Sequence, residues 1–189
     1  MGLFNCAGVR DIIAWCQLVS RGTFQDSSLY RIIRNTCGYK TAHIIFSKFN
    51  RYDPDPRFDQ LLHDNETRNK HPKLDDIIRS IEKLRSISQK RSAGEMVWDI
   101  TQRIGTLRSS AKKYSMDDHY TLLNVGNLLK RAQDFTRRNK KNHSIVAFNI
   151  YLEAIMRSGG LPSIKPESYR SQDGVIVNTI HGVKGAEFP

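Results

Sequence analysis

Thr179, His181, Lys184 and Glu187 crowd into one short segment near the C-terminus, punctuated by Gly182 and Gly185. Immediately before them runs Val175-Ile176-Val177, β-branched residues that suit a buried strand. A hydroxyl, an imidazole, an ammonium and a carboxylate just past a strand end are the groups a ligand site uses at the carboxyl edge of a sheet. A packed core has no use for that density of polar side chains. The bland alternative is a β-turn that carries charges.

Other residues could do electrostatic work. Arg103, Arg108, Lys112 and Lys113 lie close in sequence with Tyr114 beside them, and Lys130, Arg131, Arg137, Arg138, Lys140 and Lys141 form a second basic group. Such clusters neutralise phosphates and make binding salt-dependent, although a charge run is also what a solvated helix face looks like. The chain has 189 residues, with Lys plus Arg numbering 30 against 19 Asp plus Glu, a formal charge of +11. That excess points to a polyanionic partner, nucleic acid first. Asp117-Asp118-His119 reads as acids in the first turn of a helix, opposing its dipole, rather than as a catalytic set. Asp53-Pro54-Asp55-Pro56 lacks the tail of a calcium loop. Cys6, Cys16 and Cys37 share no metal-type spacing and read as thiols in a reducing cytosol. No Gly-x-x-x-x-Gly-Lys-Ser/Thr loop is present to cradle ATP phosphates.

These groups need elements to position them. With 39% hydrophobic and 26% charged residues the composition is that of a soluble globular protein, expected in the cytoplasm. No apolar run approaches the roughly eighteen residues of a membrane span, and the start has no signal-peptide pattern. Val9, Ile12, Ile13, Cys16 and Val19 predict a helix over 6–21 with one apolar face, closed by Arg21-Gly22. Asp26 is the expected N-cap of a second helix with the stripe Leu29, Ile32 and Ile33. A third is predicted from Thr41 to about Arg51, and a short one over Arg57 to His63. The polar stretch Asp64 to His71 reads as a surface loop. Three amphipathic helices follow: one on Leu74, Ile77, Ile78, Ile81 and Leu84, one on Met96, Val97, Ile100, Ile104 and Leu107 with Ser92 as cap, and one from Met116 to Arg138. Trp98 falls beside the second stripe, so core packing is its expected role. A last helix spans 144–158, ending at Gly159-Gly160.

The final segment, Thr179-x-His181-x-x-Lys184-Gly185-x-Glu187-Phe188-Pro189 behind an apolar strand, resembles motif V of the UvrD/Rep/PcrA superfamily I DNA helicases. Ala186 stands where that family usually has Leu, and Gly182-Val183 where it has Ser-Ala or similar. The resemblance implies that Gly185 and Glu187 face the nucleotide, and that Thr179, His181 and Lys184 contact DNA or couple it to the nucleotide. A second similarity lies far upstream. Phe4 followed by Val9-Arg10-Asp11 matches the approach to the first helix of the family's accessory (2B) subdomain, and the helix through Leu29 to Asn35 follows in place. Where relatives have a Gly-apolar-Gly turn for duplex phosphates, this chain has Gly38-Tyr39-Lys40, with Lys40 replacing the second glycine. The residue-level reading leaves a plain helix cap at Gly38 and an N-cap at Thr41 equally open.

The expected fold is therefore mainly α: a compact multi-helix bundle like the accessory subdomain, with a short C-terminal β-strand belonging to a motor domain. The expected division is 1–8 as a motor-domain stub, 9–160 as the helical domain, 161–173 as linker and 174–189 as strand and motif V. The resemblance implies a fragment of an ATP-dependent helicase, with ATP and Mg2+ as cofactors of the parent. It further implies DNA, duplex and single-stranded, and the remaining motor domains as partners, and no membrane. Lacking the phosphate loop, the chain by itself is expected not to hydrolyse ATP. The nucleic-acid-binding residues expected on this basis are Thr179, His181, Lys184, Gly38, Tyr39, Lys40, Arg108, Lys112, Lys113, Arg137 and Arg138. Two alternatives remain open at this stage: a stand-alone helical nucleic-acid- or partner-binding protein, and a helicase-nuclease of the RecB/AddA kind.

Overall fold

The helix α1, Ala7–Ser20, is buried along almost its whole length, and the others are arranged around it. Its sequence explains why. Beyond the expected stripe, Ala14, Trp15 and Leu18 are also apolar, so from Ile12 onward the helix buries every side, the polar Gln17 and Ser20 included. This differs from the single apolar face predicted above. A computed structural model describes residues 2–48, 57–105 and 116–163. Among them are nine α-helices and no strand beyond one isolated bridge, so the fold is mainly α and compact. The apolar segment at 174–177 lies outside the described residues.

Around α1 pack α2 (Gln25–Cys37), α6 (Pro72–Ser88), α7 (Ala93–Ile104), α8 (Met116–Arg138) and α9 (Ile145–Arg157). The predicted stripe of α6 is the buried one, with Leu74, Ile77, Ile78, Ile81 and Leu84 all in the core and Pro72 in the first turn. Helix α7 buries Met96, Val97 and Ile100 and starts with a capping box: the Ser92 hydroxyl accepts from the Glu95 amide, and the Glu95 carboxylate accepts from the Ser92 amide. Gly94 lets α7 approach α8 closely, since a Cβ there would lie 3.3 Å from Gln133 Cα. Trp98, expected in the core, is 49% exposed instead. One residue past Val97, it is rotated about 100° off the buried stripe.

The short turn Arg21–Phe24 makes α1 and α2 neighbours. Arg21 adopts the left-handed conformation at φ 53°, and the Gly22 amide donates to the Gln17 carbonyl at 2.8 Å. Asp11 ties the other end, accepting from Arg31 Nε at 2.7 Å and Asn35 Nδ2 at 2.9 Å. Asp26 does not cap α2. It sits in the first helical turn and accepts from the Arg57 amide at 3.2 Å.

Two shorter helices, α4 (Arg57–His63) and α5 (Asn65–Lys70), connect to α6. The stretch predicted as a loop is thus helical. Asp64 caps α5 through the Thr67 amide at 3.0 Å, Thr67 is fully buried, and Arg68 reaches Asp75 at 2.7 Å and the Leu62 carbonyl at 2.9 Å. A polar segment without an apolar repeat is helical here because specific hydrogen bonds pin it. Arg85 is the largest polar junction. Its guanidinium donates twice to the Leu18 carbonyl, at 2.9 and 2.8 Å, satisfying the C-terminal end of α1, and it lies 4.2 Å from the centroid of the Phe58 ring. The start and end of the described chain meet: Gly2 and Pro162 form an antiparallel bridge, and the Leu3 amide donates to the Leu161 carbonyl at 2.7 Å.

Candidate nucleic-acid interface

Gly38 is the only residue between α2 and α3 (Tyr39–Ser47). It has φ 90° and ψ 162°, a backbone state reserved for glycine. Its amide closes α2 on the Arg34 carbonyl at 3.0 Å, and its carbonyl receives the Ala42 amide of α3 at 3.1 Å. One glycine therefore ends one helix and begins the next. The predicted N-cap at Thr41 is not observed; Thr41 lies inside α3, two residues past its start.

The turn has the parts of a phosphate contact. No side chain caps α3, so the amides of Tyr39, Lys40 and Thr41 precede its first internal hydrogen bond. A Cβ on Gly38 would meet nothing within 4 Å, so the backbone stands open to an approaching group. Tyr39 and Lys40 are both exposed. The predicted residues Gly38, Tyr39 and Lys40 are thus brought together on one surface.

Arg137 and Arg138 end α8, both exposed, with Arg137 3.9 Å from Asp134. Arg131, read with them as part of one basic group, is half-buried and its Nε has no partner. Beyond Arg138 the chain turns into α9, and the structure joins Lys141, from the same basic group, to residues that the sequence did not mark. The α6–α7 loop and the α8–α9 loop are joined by a 2.6 Å hydrogen bond from the Ala93 amide to the His143 carbonyl. They enclose a cavity of about 470 Å3 lined by Lys90, Arg91, Lys141 and His143 among others. Two helices start here, α7 behind Ser92 and α9 behind Ser144, whose hydroxyl accepts from the Ala147 amide at 3.2 Å. Arg91 is paired with Asp99 at 2.6 Å, whereas Lys90 and Lys141 are exposed. Hydrogen bonds from Ser92, with Arg91 and His143 nearby, hold the Glu95 carboxyl below its usual range, so it stays anionic at neutral pH. The caps Ser92 and Ser144 were legible as helix starts; the meeting of two loops distant in sequence was not.

Arg103, from the first basic group, is exposed on α7 and donates to Ser80 Oγ at 3.1 Å. Arg108, Lys112, Lys113, Thr179, His181, Lys184, Gly185 and Glu187 lie outside the described residues. Among the described residues no group of three or more His, Cys, Asp or Glu could hold a metal ion, and no helix is long and apolar enough to cross a membrane.

No curated protein and no solved structure matches the chain. The family model of the UvrD-like helicase C-terminal domain matches residues 1–189, end to end, and the chain belongs to that family.

Proposed function

We propose that this chain is the accessory subdomain of an ATP-dependent DNA helicase and that it grips the phosphate backbone of duplex DNA ahead of the motor. In this reading residues 9–160 are the helical domain, 1–8 and 174–189 belong to the motor, and 161–173 link the two. The observation that carries it is the α2–α3 turn. A glycine-only backbone, three uncapped amides and the exposed Lys40 coincide where the family resemblance puts the duplex contact. Lys40 in place of a second glycine substitutes an ammonium–phosphate contact for close backbone approach. Contacts of this kind hold register and orientation without reading sequence.

Lys90 and Lys141, with Arg137 and Arg138, form a second phosphate-facing surface, and Arg108, Lys112 and Lys113 extend the positive field. Thr179, His181 and Lys184 couple DNA to the nucleotide, with Gly185 and Glu187 on the side of ATP and Mg2+, which the parent motor binds in the cytoplasm. The subdomain's part is to position the junction or to swing and so regulate unwinding.

The test is fluorescence anisotropy with a duplex bearing a single-stranded tail, at about 50 and 200 mM salt. Affinity should fall steeply with salt, and Lys40→Ala should reduce the slope by about one. A Lys90→Ala/Lys141→Ala variant should reduce it further. Absence of binding at low salt would exclude a DNA-gripping role.

A further inference from the structure

We infer that the Tyr39–His43 pair on α3 is a stacking platform for an unpaired base at the edge of the duplex. The inference rests on the DNA-binding reading above and deepens it, adding a base contact to a phosphate contact. Tyr39 is 62% exposed, more than Phe24, Trp98 or Tyr151, the other well-exposed aromatics among the described residues. Its ring and that of His43 are nearly parallel, 8° apart, with centroids 6.2 Å from each other. The aromatic contacts in and around the core differ. Tyr30 meets Phe46 edge-on, Phe135 is tilted against both Phe148 and Tyr151, and Phe148 stacks on Tyr151 less nearly parallel, at 29°.

One helical turn separates Tyr39 from His43, so both rings occupy one face of α3. Such a pair on a helix surface gains only about 0.2–0.5 kcal/mol from its own contact. That does little for a ring left mostly in water. Ile44, next to His43 and about 100° further around the helix, is also exposed, at 54%. Lys40 follows Tyr39 directly and is exposed, which puts an ammonium on a long side chain one residue from the ring, about 100° around the helix. A nucleotide of single-stranded DNA has the complementary pair, a base with a π-face and a phosphate. Stacking on an aromatic ring tolerates any base, which suits a protein acting on arbitrary sequence.

The platform and the phosphate contacts respond differently to salt, and this separates them. With the 189-residue chain, binding would be measured to a tailed duplex and to a blunt duplex of the same sequence. Tyr39→Ala keeps the residue-39 amide but removes the ring, and is expected to weaken tailed-duplex binding about 5- to 150-fold, with a much smaller effect on blunt-duplex affinity and on the salt slope. Tyr39→Trp is expected to restore affinity, and His43→Ala to give a smaller loss of the same kind. Because these side chains are exposed, the variants should keep the wild-type circular dichroism. Unchanged tailed-duplex binding by Tyr39→Ala, with wild type binding normally, would overturn the platform alone. An equal loss on blunt DNA with a shallower salt slope would assign Tyr39 to the phosphate contact and likewise overturn it. A wild-type chain that binds neither DNA would overturn both readings.

Discussion

Replacing Gly38 with alanine tests whether the α2–α3 turn depends on its backbone. The residue sits at φ 90° and ψ 162°, and an added Cβ would find no atom within 4 Å. Clashes with neighbours therefore contribute nothing, and the penalty is internal to the residue. An L side chain in that region costs about 1–3 kcal/mol. Stiffening the unfolded chain offsets about 0.4–1 kcal/mol of this. A net loss of roughly 0–2.6 kcal/mol follows, about 1.3 kcal/mol at the midpoint, which for a chain of this size is a Tm lower by about 3–5 °C. Urea unfolding followed by circular dichroism measures it, with m unchanged if only the native state is affected. D-alanine, introduced by chemical ligation, provides the matching control. Its mirrored sterics accept positive φ, so it should leave stability equal or slightly raised. An L-alanine variant as stable as wild type would refute the reasoning, because the helices would then be joined by a turn that any residue can adopt.

Arg85 should be hard to replace. Arg85→Ala removes two charge-assisted hydrogen bonds to the Leu18 carbonyl and the Phe58 contact, for a loss of about 3 kcal/mol in urea unfolding; Arg85→Lys should lose roughly half of that, since it keeps the charge but not the fork. A loss under about 1 kcal/mol for the alanine variant would contradict the packing. Acid should weaken the fold in a defined window. The Asp64 carboxyl is held low chiefly by hydrogen bonds from Thr67, Asp75 chiefly by the hydrogen bond from Arg68, and Glu95 chiefly by the hydrogen bond from the Ser92 amide. Folded values below unfolded ones mean that the unfolded chain takes up more protons as pH falls. The stabilisation is complete above about pH 5 and is lost as pH drops through about 4 toward the folded values. The urea midpoint should fall between about pH 5 and 3, less steeply in Asp64→Asn; a flat or rising midpoint would count against these bonds.

How far the sequence led depended on where each element lies. Helix α6 is half in water, so its stripe of Leu74, Ile77, Ile78, Ile81 and Leu84 was readable directly, as was the cap at Ser92, though not the part Glu95 plays in it. Helix α1 is surrounded, and periodicity loses its meaning when every face is covered; Trp15 and Leu18 are buried for that reason. Helix α5 was missed because nothing in Asn65-Glu66-Thr67-Arg68-Asn69-Lys70 repeats at an apolar spacing, and its bonds to Asp64, Leu62 and Asp75 are partly tertiary. At the site, Gly38 was marked by its residue type. The cavity beside Lys90 and Lys141 was not, since only folding brings the α6–α7 and α8–α9 loops together.

The antiparallel bridge between Gly2 and Pro162 gives the helical body a single doorway. Everything between Leu3 and Leu161 hangs from two strands of backbone lying side by side, like a flap on a narrow strap. If the body is the insert proposed above, a host domain would receive it as one surface loop whose ends already touch, so the host's own folding would be hardly taxed by the extra length. Mechanically the strap resists stretching far more than twisting. Beside it, Gly159 and Gly160 have φ of 101° and 78°, with Gly160 seated against the Phe4 ring. In the reading proposed above, torque applied to the body would converge on those few residues.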